Sequence, residues 1–251
     1  MARFGQSPFG GFGGGGGGAP GPFSAPIEYR SKEQEVTVGQ FFNAVYAWMC
    51  VGLAVTAGVA WWAAQSGFAL SHPGAWLICL VAQLALVWAI SGAVNRINAT
   101  MATVLFLIYA ALNGVWLSVL FYAYKLPTLG GAFVVTAGMF GAMSLWGYVT
   151  KRDLTRLGGF LFMALIGLVL ASIVNMFWAN SGLYWIVTYA GVLIFIGLTA
   201  FDTQRLKWIA IQTSDNPAMA HRMAIVGSLT LYLDFINLFI LLLRIMGDRR
   251  R

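Results

Sequence analysis

Seven long apolar stretches separated by short polar breaks make up most of the chain, at roughly 40–64, 75–94, 100–123, 129–149, 158–178, 184–208 and 223–246. About 20 apolar residues in a helix cross the ~30 Å hydrocarbon core of a bilayer, so each stretch is predicted to be a transmembrane helix. The breaks carry turn formers and charge: Ser71, His72, Pro73 and Gly74 after the first stretch, Lys125 to Thr128 after the third, and Lys151 to Arg156 after the fourth. The predicted fold is therefore all-α, a seven-helix transmembrane domain over residues 39–247, with a tail at 1–38 and a short basic tail at 248–251. Residues 1–38 contain no apolar run long enough to span. The low-complexity segment Gly10–Gly21 (GGFGGGGGGAPG) cannot bury a core, and the tail is predicted to be flexible and cytoplasmic. It has no apolar h-region of a signal peptide, and no strand precedes it as a phosphate loop would require.

Composition strengthens the membrane reading. The 251 residues are 59% hydrophobic and 9% charged, where a soluble domain is about a quarter charged. The formal charge of +7 points to Lys and Arg at helix ends, not to a nucleic-acid partner. The tail and the breaks after the second, fourth and sixth stretches hold Arg3, Arg30, Lys32, Arg96, Lys151, Arg152, Arg156, Arg205, Lys207 and Arg222; the other breaks hold only Lys125. This asymmetry puts the N-terminus in the cytoplasm. Seven crossings then put the C-terminus outside, against the preference of Arg244, Arg249, Arg250 and Arg251. A re-entrant last segment is the alternative, but Ala224 to Met246 is long enough to cross. Cys50 and Cys79 lie within apolar stretches and are predicted to be buried thiols. His72 and His221 stand alone in separate loops, so no metal cluster and no resident cofactor are expected.

Two acids interrupt the apolar pattern. In SLTLYLDFINLFILLLRIMG (Ser228–Gly247), Asp234 stands in the middle of a span, where an ionised carboxylate costs about 3 kcal/mol or more. Thr230, Asp234 and Asn237 recur at three- and four-residue steps and share one helical face, with Gly227 above them. The sixth stretch ends GLTAFDTQRLK, with Asp202 on a face that includes Leu198, Thr199 and Arg205 or Leu206. If that helix runs on to Ile211, Asp202 is nine residues, about 13 Å, from its end, and Asp234 is twelve residues, about 18 Å, from Arg222. The two acids are thus expected at similar depth, able to meet. Two carboxyls in one poorly solvated site cannot both ionise cheaply, so the pair is expected to share a proton and titrate as a unit. The alternative is that each Asp simply hydrogen-bonds a neighbouring helix. Arg96, between the second and third stretches, is either a snorkelling residue that sets topology or a latch reaching an Asp carboxylate. Asn113 and Asn175 are predicted to hydrogen-bond between helices. The tryptophans read as interface anchors, and Glu28, Glu33 and Glu35 as a solvated, helix-like approach to the first span.

TAFDTQRLK at Thr199–Lys207 and SLTLYLDFINLFILLLRIMG at Ser228–Gly247 resemble the two most recognisable segments of the Bax inhibitor-1 family, in its bacterial YccA-like branch. The resemblance covers about residues 36–247. It implies a seven-helix bundle with the last helix at its centre, located in the bacterial inner membrane. It also implies a pH-responsive aspartate pair gating calcium leak, at Asp202 and Asp234; Thr199, Thr230 and Asn237, on the helical faces of the two acids, are expected as supporting polar residues. The resemblance further implies a latch from Arg96 to the aspartate of the sixth span.

Three functions compete on these grounds. The first is a pH-sensitive calcium leak channel, in which Asp202 and Asp234 line the path and bind calcium in transit as hard oxygen ligands. The second, implied by the resemblance, is a regulatory protein that binds and restrains a membrane-anchored ATP-dependent protease through its tail. The third is an intramembrane aspartyl protease. It is disfavoured because the expected Gly-x-Gly before the second acid is replaced by Leu231, Tyr232 and Leu233, and the chain is expected not to be an enzyme.

Overall fold

A computed structural model of the chain describes residues 32–71, 78–79, 81–87 and 98–247. Within them the structure is helical, in the order α1 (Lys32–Gln65), α2 (Phe68–Ser71), α3 (Ala99–Leu117), α4 (Leu120–Ala123), α5 (Leu126–Val149), α6 (Thr155–Trp178), α7 (Ser181–Gln212) and α8 (Pro217–Met246). Six of the described segments are long and apolar enough to cross a membrane: α1, α3 with α4, and α5 to α8. The expected span at 75–94 lies only partly within the described residues. Its described part is helical, and its buried Gln83 donates to Leu112 O of α3 at 3.3 Å.

Helix ends follow local chemistry. Asn98, Asn180 and Asn216 cap α3, α7 and α8, each side-chain oxygen accepting a hydrogen bond from the backbone N–H three residues on. Pro217 sits at the first position of α8, where its missing N–H is no loss. Ala179 terminates α6 with φ 46°, and Asn175 Oδ1 accepts from Asn180 N at 3.0 Å across that turn. Asn175 thus serves its own helix end and not an interhelical bond, correcting the sequence expectation. Several helices also run past their apolar cores. α1 begins at Lys32, ahead of the expected boundary at 39, and Val38 is already fully buried. α7 starts at Ser181 and α8 at Pro217.

The bundle is graded from inside to outside. The apolar window of α8 is 72% buried while that of α6 is 11% buried, so α8 is enclosed by protein and α6 lies at the rim. α8 packs against α1, α3, α5 and α7; α6 packs chiefly on α7. Close approach is made possible by small residues. A Cβ on Gly147 of α5 would lie 2.8 Å from Ala200 Cα of α7, and one on Gly114 of α3 would lie 2.7 Å from Thr56 O of α1. Both are nearer than side chains tolerate, so only glycine lets these backbones meet. Aromatic rings fill the wider gaps, with Tyr232 edge-on to both Phe106 and Tyr109. Cys79 is buried as expected. Cys50 is exposed on α1, because the face of α1 that carries it is not covered by another described helix.

The turn between α5 and α6 is clamped by one residue of α7. Gln204 Nε2 donates to Arg152 O at 2.8 Å, and Gln204 Oε1 accepts from Leu154 N at 2.9 Å. Replacing Gln204 with leucine strands both backbone groups, and Leu154 is buried. The expected result is a loss of about 1–3 kcal/mol, seen as a lower unfolding temperature and faster proteolysis at Lys151–Arg156. Unchanged cleavage in that turn would show that Gln204 does not hold it.

Candidate functional site

The site is built where α7 and α8 face each other. Asp202 and Asp234 are both buried, 9% and 5% exposed, and their carboxyl groups meet within hydrogen-bonding reach. Counting residues along the sequence gives their matching depth; the structure supplies the rotation that turns both side chains inward. Asp234 Oδ2 is buried and accepts no hydrogen bond from a side-chain or backbone donor among the described residues. The group that faces Asp234 is the Asp202 carboxyl. Two such groups in contact inside a low-dielectric bundle repel each other unless a proton lies between them. Arg205, one turn along α7, places its charge beside Asp202.

The pair opens on one side into a cavity of about 750 Å³. Its walls come from α6, α7 and α8, with Trp116 contributed by α3. Apolar side chains such as Phe162, Leu165, Leu168 and Phe195 make most of the surface, and Arg205 and Arg244 stand toward its two ends. On the other side of Asp202 a much smaller void leads toward the α7–α8 turn, where Leu206 fills the space beside Gly227. Asp202 thus stands between a wide chamber and a narrow one, with Arg205 and Thr230 also lining both.

The remaining expected site residues divide. Thr230 and Asn237 line the cavity on the Asp234 face, with their donors engaged by their own helix at Val226 O (3.1 Å) and Leu233 O (2.8 Å). Thr199 does not line it. Its hydroxyl donates to Phe195 O, and its carbonyl accepts from Thr203 on the side of α7 facing α5. A helix step of 100° per residue explains the difference, because Thr199 is nearly a full turn from Asp202 but offset toward α5. Arg96 lies outside the described residues. No group of three or more His, Cys, Asp or Glu that could hold a metal is found among the described residues, so any cation at the pair would have two carboxylates at most.

Two buried polar chains flank the acids, and of their members only Asn113 is expected from the sequence to bond another helix. Tyr46 OH bonds Ser144 Oγ, which lies 2.9 Å from Thr203 Oγ1, linking α1, α5 and α7. Asn113 Nδ2 donates to Tyr232 OH at 2.8 Å, and Tyr232 OH lies 2.6 Å from Thr56 Oγ1, linking α3, α8 and α1. The expectation that Asn113 bonds another helix is met here. The available signal was the i, i+4 spacing of Thr199 and Thr203, a second polar stripe on α7, and a tyrosine two residues before Asp234.

An all-helical bundle with a buried acid pair shared by its last two described spans defines a class of integral membrane protein, and the comparisons narrow it. Residues 38–251 match the family described as "Inhibitor of apoptosis-promoting Bax1". The chain is 52% identical over 212 residues to "Inner membrane protein YbhL" of Escherichia coli K12, covering 82% of this chain and 90% of that protein. It is 41% identical over 229 residues to an uncharacterized protein of Borreliella burgdorferi, covering 89% and 99%. A third relative, an uncharacterized protein of Deinococcus radiodurans, is 44% identical over 220 residues, covering 86% and 95%. The chain belongs to the Bax inhibitor-1 family.

Proposed function

We propose that the protein is a pH-sensitive calcium leak of the inner membrane, gated by Asp202 and Asp234. The observation that carries this reading is the contact between two buried carboxyls on separate helices, at the boundary between a wide cavity and a narrow one. The YbhL relative's name supports an inner-membrane location. In the proposed arrangement α8 is the centre of a seven-helix bundle, the N-terminus is cytoplasmic, and Arg96 acts as a latch on the sixth span. A proton shared by the two acids ties α7 to α8 and holds the passage shut. Its loss leaves two like charges, which separate the helices and bare oxygen ligands that suit calcium. Two carboxylates give weak transit binding and not a storage site.

The sign follows: leak is low where the pair keeps its proton and rises as pH increases through its loss. The test is calcium entry into dye-loaded liposomes between about pH 5 and pH 8. Asp202→Asn and Asp234→Asn each remove the titrating pair and should give flux that no longer varies with pH. If both variants follow wild type at every pH, the gate is elsewhere. An oxygen-to-oxygen distance that stays fixed between low and high pH would also contradict the mechanism.

A further inference from the structure

The cavity has a second feature that gating does not use. Arg244 lines it at the end remote from the α7–α8 turn, with its guanidinium 5.7 Å from the centre of the Tyr184 ring. Among the described residues no hydrogen bond or ion pair engages Arg244, whose guanidinium carries five N–H donors. Below it the walls are mostly apolar, interrupted by Ser172 and Asn237, and the side formed by α6 is unusually bare: Val169 and Ile173 line the cavity while being 50% and 47% exposed. α6 packs chiefly on α7 and scarcely touches α8, so the cavity lies between two helices that are not packed together.

The dimensions suit one ligand class. Arg244 is ten residues beyond Asp234 on the same helix, about 15 Å. That equals half of the ~30 Å hydrocarbon thickness, the depth of one leaflet. A phospholipid with its phosphate at Arg244 would lay an acyl chain along the apolar walls and end it near the acid pair. Arginine matches phosphate through paired N–H donors, and a single basic residue near an anionic headgroup contributes about 1 kcal/mol.

We infer that the groove between α6, α7 and α8 is a binding site for one anionic phospholipid, held by Arg244 at its headgroup and by the cavity walls along one acyl chain. This site does not depend on the calcium reading, since it requires neither flux nor titration of the acids.

The test is native mass spectrometry of the full-length protein released from micelles containing equal phosphatidylglycerol and phosphatidylcholine. Wild type should retain one phosphatidylglycerol with about fivefold preference over phosphatidylcholine, the ratio that ~1 kcal/mol gives. Arg244→Gln should bring the preference to about one, while Arg244→Lys retains part of it through its charge. Val169→Trp fills the groove from its exposed rim and should remove both lipids; Ile173→Trp provides the same test should the first variant fold poorly. Inorganic phosphate in excess should leave the bound lipid in place. Equal retention of the two lipids by wild type, an unchanged preference in Arg244→Gln, or displacement by phosphate alone would each overturn the site.

Discussion

Replacing Gly147 with valine is expected to destabilise the protein by at least about 3 kcal/mol, the upper part of the range for overpacking a tight contact. The new Cβ would fall 2.8 Å from Ala200 Cα and 2.9 Å from its carbonyl carbon, and closer still to the carbonyl oxygen. Those are backbone atoms of α7, so no rotamer change relieves the clash; the helices themselves must part. Ala200 is fully buried and stands two residues before Asp202, so the shift reaches the acid pair. At roughly 2–4 °C per kcal/mol for a domain of this size, the unfolding temperature should fall by about 6–12 °C. Gly141→Val is the control: it lies on the same helix, a Cβ added there meets no atom within 4 Å, and the change should cost only a small amount. Equal melting temperatures for the two variants would mean that the α5–α7 contact is not as close as described.

Tyr232→Phe should produce the second large loss. Tyr232 is fully buried, and its hydroxyl sits between Asn113 and Thr56. Asn113 can only donate through Nδ2, so Tyr232 accepts from it and passes its own proton to Thr56 Oγ1. Thr56 in turn donates to a backbone carbonyl, with Gly52 O and Ala110 O both at 2.9 Å. The chain therefore has one direction, and removing its middle member leaves the Asn113 amide buried without an acceptor. The expected cost is about 1–3 kcal/mol. Asn113→Leu should recover part of it in the double variant, because the stranded donor is gone. A coupling of roughly 0.5 kcal/mol or more in that cycle supports the chain, and strict additivity would refute it.

The sequence was most legible where chemistry was most out of place. A carboxylate in an apolar run is conspicuous, and Asp202 and Asp234 could be placed at matching depth by counting residues. Their turn toward each other is a rotational property of two packed helices, which no single-helix pattern encodes. Membership in the all-α class followed from span length alone, whereas helix ends did not. α1, α7 and α8 all run beyond their apolar windows because caps and polar tertiary contacts, not hydropathy, decide where a helix stops. Asn113 and Asn175 looked alike in sequence. One faces Tyr232 across a helix interface and the other closes its own helix end, a difference made by Ala179 and Asn180 beside the second. Gly147 and Gly141 are equally indistinguishable until Ala200 is known to lie against the first. Thr199 shared the expected face with Asp202 only on a generous reading of 100° per residue.

The enclosure of α8 bears on how the molecule is made. Ribosomes deliver helices in order from the N-terminus, yet α8, the last of the described helices, fills the space between α1, α3, α5 and α7. Until it emerges, Asn113 lacks Tyr232 and Asp202 lacks Asp234. A chain that lacks α8 is therefore expected to leave a hollow among those four helices. A translation stop anywhere before α8 would leave that hollow open for cellular quality control to find.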